Sequence, residues 1–481
     1  MTTLDICVER IVLNVRETAK NASVAFLAQG VSMLLSVIQS LIVPKLLGVA
    51  EYGYWQLFIF YIGYVGFFHF GLNDGVYLIK GGESRKQIDR SSVRSQFAFS
   101  LVFETLIALC VVIVSMSIEL VPDRRFVAVC AAIFLVIQNA ASYLMYVLQA
   151  MNETRLSSYS TIVARFSFLI LLGLLISIGS STFRPFVVAY IASVVLQLAY
   201  CIWHCQDILS ASFSGWTIAA KESVESIRVG SKLMLANIAS QLILGVLRLA
   251  IDAKWGVETF GKLSLSLSLV NFFLAFVTQA AMVLFPALRQ SNEEEVRSFY
   301  MHARDVLGLA FPAIYLLYFP MVWLLIRWLP AYADSLRYFA YLIPICVFDS
   351  KMNITCTTLF KVRRQENLLL RINIATTVFC AVIVAIGVFM IGSVELSVAS
   401  ATLAIMMRSF ISEGFVASEL GVKQDDVSVC EFALTFAFVS LALLASPIIA
   451  SFCYALLYSF FLIMHRRQVG ELFAALRLNR Q

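Results

Sequence analysis

Residues 230–261 read GSKLMLANIASQLILGVLRLAIDAKWGVETFG. The stretch is long and apolar enough to cross a bilayer, yet Arg248 and Asp252 lie near its end. A charged side chain on a spanning helix costs roughly 2.5–3.5 kcal/mol on insertion scales, so it faces protein interior or a wet cavity. Asn237, Gln241, Gly245, Arg248 and Asp252 recur at helical spacing and fall on one face, polar along most of the membrane's depth. A shift of 208 positions lays this stretch on residues 22–53, which end LLGVAEYG where it ends KWGVETFG. Gln29 then falls on Asn237, Ser32 on Ser240, Gly48 on Gly256, Tyr52 on Phe260 and Gly53 on Gly261. Two polar-striped helices at matching points of two halves point to a pathway between the halves.

The composition makes those halves membrane-embedded. Of 481 residues, 60% are hydrophobic and 14% charged. Mean hydropathy is +0.86. Soluble domains carry about 25% charged residues. The formal charge of +6 is not a nucleic-acid signal, because in a membrane chain the location of Lys and Arg outweighs their sum. The ten cysteines are scattered, without disulfide or zinc spacing. Cys201, His204 and Cys205 read as structural filler, since no fourth ligand is evident.

About 20 apolar residues per crossing predict an all-α polytopic membrane protein with about fourteen transmembrane helices. They lie near 22–46, 53–73, 95–118, 126–150, 157–180, 185–205, 231–255, 261–287, 305–329, 335–360, 367–392, 395–418, 429–446 and 448–464. The repeat groups them as an N-lobe (1–205: an amphipathic N-terminus and spans 1–6), a cytoplasmic linker (206–230), a C-lobe (231–418, spans 7–12) and a last segment (419–481) with two further helices and a basic tail. The two six-helix lobes are pseudo-symmetric about an axis along the membrane normal, because an offset of six spans preserves topology. With both termini cytoplasmic, 24 of the 36 Lys and Arg lie inside, 8 outside and 4 within spans, as the positive-inside rule requires. Pro44, Pro286, Pro312, Pro320 and Pro344 mark kinks, static or mobile.

Arg248 and Asp252, four apart, can touch; they read either as a neutralised pair or as a cation lining a substrate route with its partner. Arg165, Lys351 with Asp349, and Arg408 with Glu413 are the other buried charges, read as pairs within a lobe, with Glu104 placed to neutralise Arg165. Asn271 and Gln279, eight apart on the eighth span, continue the polar stripe. No GxxxxGK[ST], GxSxG or HExxH occurs, and no outer loop has room for a catalytic domain. The chain is therefore read as no enzyme. A membrane glycan polymerase or transferase remains as the alternative from another class.

LLGVAEYGYWQLF (46–58) and GLNDGVYLIKGG (71–82) resemble segments of the polysaccharide flippases of the multidrug/oligosaccharidyl-lipid/polysaccharide transporter superfamily. In these a long first helix leads into a Gly-Val-x-x-Tyr-Gly turn, and Asp-Gly follows the second; Gly48, Val49, Tyr52, Gly53, Asp74 and Gly75 hold those positions. The resemblance implies two lobes around a central cavity lined by spans 1, 2, 7 and 8, and alternating access in a bacterial inner membrane. It implies an oligosaccharide repeat unit on polyprenyl pyrophosphate as cargo, carried from the cytoplasmic to the periplasmic leaflet. Membrane lipids are the further partners; other glycan-assembly membrane proteins stay open, and nucleic acid is not among them. With the polar stripes, the candidate cavity residues become Gln29, Lys45, Asp74, Lys232, Asn237, Gln241, Arg248, Asp252, Asn271 and Gln279. No cofactor is implied, and proton or sodium coupling through Asp252 stays open. A multidrug or small-solute antiporter of the same superfamily is the nearer alternative.

Overall fold

The computed structural model describes residues 30–31, 35, 38–422 and 426–470, without some side chains between 233 and 290 and at 426 and 428. Gln29, the N-terminal amphipathic segment and residues 471–481 of the basic tail lie outside the described residues, as do the side chains of Asn237 and Gln279. The chain divides into two compact units, Met1–Leu235 and Ala236–Gln481.

The first unit runs through α1 (38–46), α2 (Val49–Ile62), a 3-10 turn at Val65–His69, α3 (Leu72–Lys80), α4 (Arg90–Ser117), α5 (Pro122–Ala150), α6 (Thr154–Ser177), α7 (Phe183–His204) and the short α8 (Gln206–Leu209). It ends within α9 (Trp216–Gln290). The second unit continues α9, then α10 (Glu293–Ala310), α11 (Ile314–Trp328), α12 (Ser335–Leu342), α13 (Pro344–Lys351), α14 (Thr358–Val362), α15 (Glu366–Ala385), α16 (Val394–Glu419), α17 (Asp426–Leu444) and α18 (Pro447–Met464). Nine helices among the described residues are long and apolar enough to span a membrane, ten with the bent pair α2–α3. Each sequence-predicted span from the second onward has a helical counterpart. The seventh and eighth are the two arms of α9, the tenth is interrupted as α12, α13 and α14, and the thirteenth is the short apolar helix Val429–Leu444.

Lipid accounts for the surface. Only 17% of the apolar stretch of α6, and of α18, is buried, and Ile170, Ile178, Ile448 and Phe452 point outward. With tails outside as apolar as the core, close packing rather than dewetting holds the helices together. In the first unit Tyr190 meets Trp55, Phe58, Phe134 and Phe168 at centroid distances of 5.0–6.1 Å. In the second, Phe438 stacks on Tyr315 at 4.4 Å and meets Tyr318, Phe319 and Tyr454.

Two breaks differ from the sequence reading. The second span does not end near residue 73. It bends by 52° and continues as α3. Phe70 (φ 51°) and Gly71 (φ 89°) make the bend, and the Gly71 N–H donates to His69 Nδ1 at 3.0 Å. Between the seventh and eighth spans the gap expected at residues 256–260 shrinks to one residue. Gly256 (φ 79°, ψ −175°) breaks α9 in a region open to glycine, and helix resumes at once. The repeat survives in detail: Gly48 precedes α2 as Gly256 precedes the second arm, and Tyr52 and Phe260 are both fully buried.

The segment expected as a linker, 206–230, is bound to the first unit. Ser91 Oγ donates to the Ser212 carbonyl at 2.7 Å, Ser92 Oγ to Glu222 at 2.7 Å and Ser226 Oγ to Gln96 at 2.8 Å. Arg94 donates to the Ala211 carbonyl. Arg85, in the loop before α4, forks onto Glu153 (2.5 and 2.8 Å) and reaches Asp207 at 2.6 Å. The hydrogen bond to Glu153 is the main reason its pKa is raised further. These groups are about a quarter to a third exposed, so Arg85→Gln should cost only about 1 kcal/mol. The apparent melting point of the detergent-solubilised protein checks this; a loss several times larger would mean that Arg85 carries the turn structure itself.

Candidate functional site

The seventh span carries the clearest site features of the second unit. Ile243, Leu247 and Ile251, spaced by four, are at most 1% exposed and form its core stripe. Threonine and cysteine of α15 hold this side of the backbone: Thr377 Oγ1 donates to the Ala239 carbonyl at 2.9 Å and Cys380 Sγ to Ile243 at 3.5 Å. Off that stripe, Gln241 is exposed, and Arg248 and Asp252 are half-buried. Gly245, counted with the polar face, is buried.

Arg248 reaches across the Gly256 kink. Its Nη2 donates to Ser264 Oγ at 2.8 Å, and its guanidinium carbon lies 4.9 Å from the centroid of Phe260. Ser264 and Phe260, on the second arm of α9, are thus two of its contacts, beside the Asp252 that the sequence reading offered as a partner. The break at Gly256 lets residue 264 lie beside residue 248. Asn271, further along that arm, is exposed. A guanidinium stacked on one face and half open offers donors suited to phosphate or carboxylate oxygens.

Behind this helix lie the buried charges, paired differently from the sequence expectation. Arg408 bonds Asp349, and its Nη1 donates to Ser240 Oγ at 3.1 Å and Asn373 Oδ1 at 3.4 Å. Lys351 lies 3.1 Å from Glu413 and 2.8 Å from Glu431. The expected partners were Glu413 for Arg408 and Asp349 for Lys351. Residues two or five apart do not face each other on a helix, so each cation takes a carboxylate from a neighbouring helix instead. Ser264 and Glu431 were missed by the sequence reading, and Ser240 was aligned with Ser32 but not counted among the site residues. Glu431 had a signal, a carboxylate inside an apolar helix; Ser264 had none.

In the first unit Lys45 and Lys232 are exposed and Asp74 is 8% exposed. Because α3 continues the helix past the bend and packs on α5, Asp74 lies against Tyr146 rather than at a loop end. Glu104 is fully buried and accepts from Ser100 at 2.9 Å. It does not pair with Arg165, whose hydrogen bond is to the Tyr190 hydroxyl at 3.4 Å.

The family model described as polysaccharide biosynthesis protein matches residues 18–292, more than half of the chain. No curated protein matches the sequence. Among solved structures, the lipid II flippase MurJ in an inward closed conformation aligns with TM-score 0.59 and 11% identity, over 94% of this chain and all of that one. An outward-facing multidrug resistance MATE transporter of the MOP superfamily aligns with TM-score 0.55 and 13% identity, over 84% and 95%. A MOP superfamily transporter from Pyrococcus furiosus aligns with TM-score 0.51 and 11% identity, over 84% and 95%. At these identities the likeness is one of fold. The chain is a multi-pass membrane protein with the fold of these transporters, and it belongs to the polysaccharide biosynthesis protein family.

Proposed function

We propose that the protein is a flippase that moves polyprenyl-pyrophosphate-linked oligosaccharide repeat units from the cytoplasmic to the periplasmic leaflet of the inner membrane by alternating access, and that it is no enzyme. One observation carries the reading: a chain of the polysaccharide biosynthesis family has the fold shared by MurJ and MATE transporters. A pyrophosphate cannot cross hydrocarbon unpaired, and Arg248 offers it a guanidinium preset by Phe260 and Ser264. Gln241 and Asn271, both exposed, serve the sugars on this proposal, and Asp252 remains the candidate for ion coupling.

Arg248→Ala is expected to abolish surface glycan in cells that depend on this chain, with the protein present in the membrane at its normal level. Glycan immunoblots and a membrane-fraction blot read the two halves. Normal surface glycan would remove the pyrophosphate role from Arg248. The MATE likeness keeps a multidrug or small-solute antiporter as the second reading. A deletion strain with intact glycan and raised drug sensitivity would favour it.

A further inference from the structure

Lys351 and Arg408 in the second unit both sit on carboxylates. Arg165 in the first unit has no carboxylate within ion-pair distance among the described residues. It lies on α6 eleven residues past Thr154, about 16 Å along the axis and close to the middle of this 24-residue apolar helix. Of its five N–H donors, one is used, on the Tyr190 hydroxyl at 3.4 Å, beyond the usual range for such a bond. An uncompensated guanidinium at that depth is costly.

The space beside it is polar. A cavity of about 210 Å³ opens between α5, α6 and α7, lined by Gln138, Ser142, Thr161, Arg165, Tyr190 and Gln197 among others. Several of these have bonding capacity to spare. Ser142 Oγ accepts from Gln138 at 3.0 Å, which leaves its own proton to donate. Thr161 reaches the Ser157 carbonyl only at 3.5 Å. The cavity is smaller than the roughly 300–1,000 Å³ of pockets for drug-sized ligands, a size for one headgroup rather than a sugar chain. A guanidinium fork on one side with hydroxyl and amide donors on the others matches the several oxygens of a tetrahedral anion.

We propose that this cavity binds a phosphate group, carried by a lipid headgroup or free. The proposal lies within one unit and is independent of the flippase reading.

The test uses the full-length wild-type protein in detergent and methylglyoxal, a small arginine-directed reagent, with the Arg165 adduct read by peptide mass spectrometry. Three additions are compared: dihexanoyl phosphatidic acid, dihexanoylglycerol and inorganic phosphate. Phosphatidic acid is expected to slow modification of Arg165 by about tenfold or more, dihexanoylglycerol not at all. Exposed Arg184, paired with Asp123, should react equally in every arm. Protection by phosphatidic acid alone assigns a lipid phosphate; protection by inorganic phosphate as well assigns a site for the group in either form. Absence of protection, equal protection by dihexanoylglycerol, or an Arg165 inert in every arm would overturn the proposal. Ser142→Ala should weaken protection several-fold and leave the unprotected rate unchanged. A guanidinium that merely props Tyr190 would give identical rates in all arms and both proteins.

Discussion

Lys351→Met should cost about 3–5 kcal/mol, enough to deplete the folded protein from the membrane. Lys351 is 1% exposed and lies between Glu413 and Glu431, whose side chains are 7% and 2% exposed. Three helices meet through it: α13 gives the lysine, α16 and α17 the glutamates. Methionine matches its length but leaves two carboxylates buried against each other. An uncompensated buried charge costs several kcal/mol, far more than the pair contributes. The same reasoning predicts a rescue. Lys351→Met with Glu413→Gln and Glu431→Gln replaces all three charges by neutral groups, and most of the loss should return. Yield and apparent melting point of the purified protein read both steps. A single variant as stable as wild type, or a triple variant no better than the single, would show that charge balance does not hold these helices together.

Gly75→Ala is the second large effect, in the first unit. A Cβ at Gly75 would stand 1.8 Å from the Ser226 carbonyl oxygen and 2.4 Å from its carbon. At Gly230, across the same contact, it would stand 2.0 Å from the Gly71 oxygen. Backbone touches backbone here, the close approach that small residues permit between membrane helices, with Cα–H groups against carbonyls. No rotamer can relieve a clash with main chain, so α3 or the start of α9 must move. The expected loss is about 3 kcal/mol or more, at the upper end for overpacking. Gly173 on α6 is the control: its Cβ would meet nothing within 4 Å, and alanine there favours helix. Gly173→Ala should be neutral or slightly stabilising by the same melting assay. Equal behaviour of the two variants would show that the α3–α9 contact yields without cost.

The architecture was largely legible from residues 22–464. Apolar length marks spans because in lipid a segment that satisfies all its backbone hydrogen bonds within itself must be a helix. The 208-residue repeat marked both glycine breaks, Gly48 and Gly256, and both buried aromatics, Tyr52 and Phe260. Helical spacing assigned Gln241, Arg248 and Asp252 to one face, and they lie off the core stripe of Ile243, Leu247 and Ile251. These are properties of a single helix, and the order of its residues suffices for them.

Partnership is another matter. Whether Arg408 meets Asp349 or Glu413, whether Lys351 finds Glu431, whether Glu104 reaches Arg165, and whether Gly75 is pressed by Ser226 all depend on which faces of different helices meet. Order along the chain therefore determined where the apolar helices run, which of their faces are polar, and the glycine breaks at Gly48 and Gly256, through spacings of three and four residues and the conformational range of glycine. Only the tertiary structure decided which charge neutralises which and where a guanidinium is left beside an open cavity, because the charge pairs are made across gaps of 59 to 80 residues that no helical period spans.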